Sequence, residues 1–257
     1  MLISEKPAIR IMAVLLLACG LLSGCASTPA KTESGASFDP IEPANRFFFG
    51  FNETLDQMLI KPIAKGYVEI APEPVRDVVT NFFDNLSYLN VIVNSFLQGK
   101  FEQGMSDMGR FIVNSTFGIG GMFDVATGMG LQQHNEDLGQ TLGVWGAGQG
   151  PYVYLPIRGP NSARDLPDQV SGMLLNPLTY MSGTVLFPIV ALNIINKRAN
   201  LLDETNIRDE AAVDKYTFTR EAYIQRREYL IYDGNPPSEG YEDIFDEESD
   251  ESLLIIQ

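Results

Sequence analysis

The hydrophobic and polar positions along this chain predict helices broken by Gly and Pro. Residues 43–59 read as a first helix, halted before Pro62, whose ring is hard to place inside a helix. The stretch "PEPVRDVVTNFFDNL" predicts a second, with Pro in the first turn, where it is tolerated. "SYLNVIVNSFLQG" predicts a third, capped by Ser87 and ended by Gly99. "KFEQGMSDMGRFIVNSTF" predicts a fourth, with Phe101, Met105, Met108 and Ile112 at helical spacing. "DLGQTLGVWG" is a short fifth, and "PYVYLPI" is the one extended segment. "SARDLPDQVSGMLL", "TVLFPIVALNIINKRANLL" and "DKYTFTREAYIQRREYLIY" complete a mainly α pattern. In the last of these, Tyr216, Arg220, Tyr223, Arg227 and Leu230 alternate rings with charges, as on a surface helix.

Two runs do not fit an ordinary soluble helix. Four of the five residues 47–51 are phenylalanine: Phe47, Phe48, Phe49 and Phe51. At about 100° per residue, Phe47 and Phe51 share a face while Phe48 and Phe49 point elsewhere. Such a helix is apolar nearly all round, which suits deep burial or lipid. The run "TVLFPIVALNII" is too short to span a bilayer and contains Pro188, so it reads as a buried or interfacial helix. The pattern leaves two readings open: helices lying in one leaflet, or a plain helical core.

The N-terminus changes the picture. Lys6 and Arg10 precede the apolar stretch "IMAVLLLACGLL", and then comes "LSGC", residues 22–25. Residues 1–24 read as an export signal of the bacterial lipoprotein type, with Cys25 as the acylated first residue of the mature protein. Residues 25–37 form a polar tether, and order is expected from about residue 38. Cys19 leaves with the signal, so the mature domain has no disulfide framework and no cysteine metal site.

The net charge of -15 argues against nucleic acid and against adhesion to anionic lipid by charge alone. Much of it falls in the last stretch: "EYLIYDGNPPSEGYEDIFDEESDESLLIIQ" holds no Lys or Arg. Residues 233–257 read as a disordered acidic tail.

Catalytic patterns are missing. There is no GxSxG elbow, and the lone His134 in "QQHNED" has no HExxH partner and reads as an exposed loop residue. "FGIGGMFDVATGMG" lacks a GK[ST] and reads as a bend where backbones approach closely. Asp165 and Asp168 read as a solvated helix start rather than an acid/base pair. No catalytic residue, metal or cofactor is expected. The alternating glycines of "WGAGQG" give either a mobile loop or a structural turn.

Four spaced segments carry a resemblance. They are "DPIEPANRFFFGFNETLD", "FLQGKFEQGMSDMGRFIVNSTFGIGGMFDVA", "LGQTLGVWGAGQGPYVYLPIRGPNSARD" and "REAYIQRREYLI". In this order, and with the lipobox, they resemble the MlaA (VacJ) family of phospholipid-binding outer-membrane lipoproteins, over residues 39 to about 232. The resemblance implies a ring-like helical domain (residues 38–232) embedded in one leaflet, with a central amphipathic channel. It implies removal of mislocalised phospholipids from the outer leaflet of the outer membrane. They would pass to a soluble periplasmic carrier and on to an inner-membrane transporter, with a trimeric porin beside the lipoprotein. Gly146 and Gly148 match the family's flexible channel loop, and acyl chains can cover Phe47, Phe48, Phe49 and Phe51. The protein is then not an enzyme and faces the periplasm on a lipid anchor. Two alternatives stand: a porin-associated structural lipoprotein that moves no lipid, and a phospholipase, against which the missing nucleophile–His pair counts.

Overall fold

The computed structural model describes residues 39–237. The signal at 1–24, Cys25, the tether and the tail beyond residue 237 lie outside the described residues. The fold is mainly helical, as the sequence pattern predicts. Helix α1 is Glu42–Leu55, followed by a π-helical turn, Asp56–Ile60, and by α2, Lys61–Ile70. The chain therefore does not halt before Pro62. Proline lacks an N–H, and the wider π turn closes with the Lys61 amide on the Asp56 carbonyl just before it. The helical path runs on with Pro62 in the first turn of α2.

The second and third predicted helices are one, the 25-residue α3, Glu73–Leu97. Ser87 is not a cap; its hydroxyl bonds back to the Phe83 carbonyl one turn earlier. Gly99 does end the helix, at φ 78°. Helix α4 is Phe101–Thr116, α5 is the single turn Val125–Gly128, and α6 is Leu138–Val144. Strand β1, Tyr152–Leu155, pairs antiparallel with β2, Gly159–Ser162, a partner that "GPNS" does not announce. Then come α7 (Leu166–Leu175), a 3₁₀ turn (Pro177–Tyr180), α8 (Gly183–Asn200), α9 (Leu202–Ala211) and α10 (Lys215–Ile231).

These elements close a circuit. Helix α1 packs on β1, β2 abuts α10, α10 abuts α6, α6 abuts α3, α3 abuts α8, and α8 packs on α2, which continues α1. Helices α4 and α7 pack on α3 from within this order, and α7 also meets α6. Among the described residues no single helix is long and apolar enough to cross a membrane.

The partition of side chains runs opposite to that of a soluble helical domain. On α4 the buried positions are Gly104, Asp107, Arg110 and Asn114. Phe101, Met105 and Ile112, the stripe that the spacing marks as apolar, are exposed; only Met108 packs inward. Helix α8 is exposed at Val185, Phe187, Val190, Leu192 and Ile194, and its buried residues are Asn196 and Ala199. Two small aromatic clusters supply apolar core: Tyr88 with Val91 and Ile92, and Tyr152 with Tyr154 and Tyr216. An exposed apolar surface of this extent marks contact with something other than water.

Candidate functional site

The phenylalanine run divides in two. Phe47 is 70% exposed and Phe51 47%. Phe48 and Phe49 turn inward on the tyrosine cluster, Phe49 meeting Tyr154 and Tyr216 edge-to-face at 5.4 and 5.7 Å. Outward contact thus falls to Phe47 and Phe51. The asparagines that flank the run set this geometry. Asn45 donates to the Tyr152 carbonyl at 2.9 Å and accepts from the Tyr154 amide at 2.8 Å. One heptad on, Asn52 donates to the Leu155 carbonyl at 3.0 Å and accepts from the Ile157 amide at 2.7 Å. The two amides, on one face of α1, satisfy the outer edge of β1 as a strand would.

The interior is organised by carboxylates. Asp107, fully buried, accepts from the hydroxyls of Tyr88 (2.9 Å) and Ser95 (3.0 Å), and its Oδ1 lies 2.8 Å from His134 Nδ1. His134 is therefore half-buried and partnered, not the exposed loop residue that its neighbours suggest. Arg110 donates to Asp124 at 2.5 Å and to the Leu131 carbonyl at 2.6 Å, beneath the glycine-rich bend. That bend is tight, as the sequence suggests: Gly121 has φ +87°, and a Cβ there would lie 2.3 Å from Asn85 Cβ. A cavity of about 20 Å³, room for about one water, lies among Asn81, Asp84, Asn85, Arg110 and Gln133. Burial pushes the Asp84 carboxyl above its ordinary range, against the pull of Lys197 and a Gln133 hydrogen bond.

A third centre joins α6, α7 and α10. Arg227 forks onto Asp137 at 2.5 and 2.8 Å, and its Nε lies 3.0 Å from Asp165. Tyr223 donates to Asp165 at 2.6 Å. A Cβ on Gly139 would lie 2.3 Å from the Asp165 carboxylate, so only glycine lets α6 come this close. Burial is the largest influence and pushes the Asp137 carboxyl up, but the Arg227 hydrogen bonds and charge together with the Gln140 hydrogen bonds outweigh it and hold it below the usual range. Asp165 and Asp168 are thus not a solvated helix start. Asp168 accepts from the Leu138 amide and from Asn90, both at 3.1 Å. The Tyr216–Arg220–Tyr223–Arg227 face is likewise no surface stripe: Tyr216, Arg220 and Arg227 are buried, and Tyr216 and Arg220 both reach Asp39.

The "WGAGQG" segment links α6 to the hairpin. Gly146, at φ +89°, ends α6: its amide bonds the Gly143 carbonyl, and the Ala147 amide bonds the Leu142 carbonyl, both at 2.9 Å. This double bond is the Schellman C-cap, which requires a left-handed residue at Gly146. Gly148 is exposed and makes no backbone hydrogen bond among the described residues. Near this loop's helix, at the turn from α3 to α4, a groove of about 700 Å³ is lined by Lys100, Phe101, Gln103, Ser106, Gln132 and His134. Lys100 also pairs with Glu136 at 2.9 Å and with Asp233, which ties the first described residues of the predicted tail to the domain. No group of three or more His, Cys, Asp or Glu among the described residues could hold a metal ion.

Sequence reading missed the carboxylate centres. Their partners stand far apart along the chain, and only the mid-helix positions of Asp107 and Arg110 hint at them.

The arrangement defines a class: a mainly helical circuit with a charged and amide-rich interior inside an apolar exterior. A family model described as MlaA lipoprotein matches residues 37–230. The intermembrane phospholipid transport system lipoprotein MlaA of Escherichia coli (strain K12) is 35% identical, over 90% of this chain and 95% of its own length. An uncharacterised protein of Rickettsia bellii is 37% identical over 76% of this chain and 77% of its own. A solved chain, from work on the structural basis for maintenance of bacterial outer membrane lipid asymmetry, aligns with TM-score 0.68 at 34% identity. It covers 76% of this chain and 100% of that one. The chain belongs to the MlaA lipoprotein family.

Proposed function

We propose that this protein is the lipoprotein that withdraws mislocalised phospholipids from the outer leaflet of the outer membrane. It passes them to a soluble periplasmic carrier, in intermembrane phospholipid transport that maintains lipid asymmetry. It sits on the periplasmic face of the outer membrane, anchored through acylated Cys25 and placed beside a trimeric porin. The observation that carries the reading is the inverted partition of α4 and α8. Their apolar side chains face outward while Asp107, Arg110, Asn114 and Asn196 face inward. Hydrocarbon around the ring removes the exposure cost of Phe47, Phe51, Phe101 and Phe187, at about 25 cal/mol per Å² of apolar area withdrawn from water. A polar passage through the ring gives a headgroup hydrogen-bonding partners while the tails follow apolar wall.

Transfer on this reading is passive. No bond is made or broken, and removal of lipid by the carrier draws the flux. The loop beyond Trp145 is the gate, with Gly148 free to change backbone angles and Gly146 fixed as a helix cap in the conformation described. Mass spectrometry of the detergent-purified protein tests the reading: co-purifying phospholipid is expected. A lipid-free protein whose loss leaves surface phospholipid unchanged contradicts it and favours a porin-associated structural role.

A further inference from the structure

The chain has a single tryptophan, Trp145, and it stands where the gate loop begins. The residue is 59% exposed, yet its indole N–H donates to the Leu97 carbonyl at 3.1 Å. Leu97 is the last residue of α3, where carbonyls lack intrahelical donors. The amides that follow go elsewhere: Gln98 to Asn94, Gly99 to Phe96 and Lys100 to Ser95. The Leu97 carbonyl has no backbone donor among the described residues, and Trp145 supplies the missing one.

We infer that Trp145 is a latch that positions the gate loop by clamping the end of α6 onto the end of α3. This rests on the proposed gate reading. The loop is held at both ends. At the first, the Trp145 and Ala147 amides close α6 while the indole ties that cap to α3. At the second, the Gln149 carbonyl accepts from the Arg164 amide at 3.2 Å and the Pro151 carbonyl from the Ala163 amide at 3.0 Å, in register with the hairpin. Between them only Gly148 is unattached. The second anchor belongs to the hairpin and moves with it. Deeper in α6, Thr141 stays bonded to Asn94 of α3 at 2.8 Å, but the cap itself is tied by one half-exposed hydrogen bond, of the strength that thermal motion breaks and remakes. Release of the indole frees the cap residues from Trp145 on, while Thr141 keeps the body of α6 on α3, and lets the chain swing about Gly148; remaking it restores the loop conformation. Trp145 is thus a positioning residue acting through the loop, not a residue in contact with transported lipid.

The single tryptophan makes the test direct, because the protein has one indole ¹⁵N–¹H resonance. The experiment uses the full-length lipoprotein in detergent micelles, as wild type and as Trp145→Phe, which keeps a ring and removes the donor. A net hydrogen bond of ordinary strength predicts indole exchange slowed about five- to tenfold relative to free tryptophan. In Trp145→Phe the Gly146 and Ala147 amides should exchange faster by a similar factor. The melting temperature and the protein level in the outer membrane should stay near wild type, and surface phospholipid, read as detergent sensitivity, should change. An indole proton exchanging at the free rate overturns the latch. So do Gly146 and Ala147 amides that exchange in Trp145→Phe as in wild type. Faster amide exchange with an unchanged membrane barrier overturns the latch's part in lipid passage. Absence of bound phospholipid from the wild type, by contrast, strikes the transport reading, and exchange alone then decides the latch.

Discussion

The α6–α7–α10 junction and the outward face of helix α8 meet their surroundings by opposite means. At the junction, Arg227, Asp137, Asp165 and Tyr223 form a buried clasp in which each charge is paired within about 3 Å. Helix α8 is held on its inner side by Asn196, which donates to Thr80 at 2.8 Å and accepts from Tyr67 at 3.1 Å, and by Arg198, which forks onto Asp56 at 2.6 and 2.8 Å; most of its apolar side chains point outward. A clasp of paired charges is weak evidence of stability, because desolvation offsets much of the attraction. What it supplies is specificity: only one relative placement of three elements satisfies all four groups. The outward face of α8 supplies no such specificity: its apolar side chains make no polar bond and lie exposed. The same chain therefore uses polar bonds inward to fix the circuit and leaves the outward face to its solvent.

That contrast is broken most severely at the clasp. Arg227→Ala leaves Asp137 without its charge partner, while Asp165 keeps Arg164 at 3.0 Å, and should cost about 3 kcal/mol, read as a lower midpoint in chemical denaturation in detergent. An unchanged midpoint would show that the clasp is not buried in solution. A smaller effect comes with acid. Asp137 has a lowered folded pKa, so its contribution is complete above the unfolded value of about 3.9 and is lost as pH falls through the folded one. Thermal melts should therefore show a steeper fall in stability below pH 4 than Asp137→Asn shows over the same range.

Asp84 has the opposite sign. Its carboxyl is raised by burial, so the stability it contributes is present below the unfolded value and is lost as pH rises through the folded one. Asp84→Asn should be more stable than wild type at pH 8, with the advantage shrinking toward pH 4; equal melts at both values would remove this assignment. The smallest stability effect belongs to α8. Phe187 is 74% exposed, and Phe187→Ser should change micellar stability by less than about 0.5 kcal/mol. It should still weaken retention in phospholipid bilayers, measured by flotation.

The sequence makes the regular elements legible where local chemistry decides them. Gly99 ends α3 because a left-handed residue is needed there, and "YVYL" forms a strand by its β-prone residues. Ser87 misleads because a serine can bond back within a helix as well as cap one, and Pro62 because a π turn can accommodate it. The Phe47–Phe51 run announces an apolar helix but not that half of it faces tyrosines from β1 and α10, more than a hundred residues away. His134 reads as exposed for the same reason: it lies in a loop, and its partner, Asp107, comes from helix α4. The loop glycines are visible in the sequence; that Gly146 caps α6 follows only from where the Leu142 and Gly143 carbonyls lie.

The central claim is that lipid surrounds the apolar exterior of this ring. A nitroxide at Phe187→Cys in the mature lipoprotein, reconstituted in phospholipid bilayers, tests it by collision with oxygen and with a water-soluble nickel complex. The account predicts high oxygen and low nickel accessibility at position 187, and the reverse for the same label at the exposed Asn135. Nickel accessibility at 187 equal to that at 135 would place the exterior of α8 in water and contradict the account.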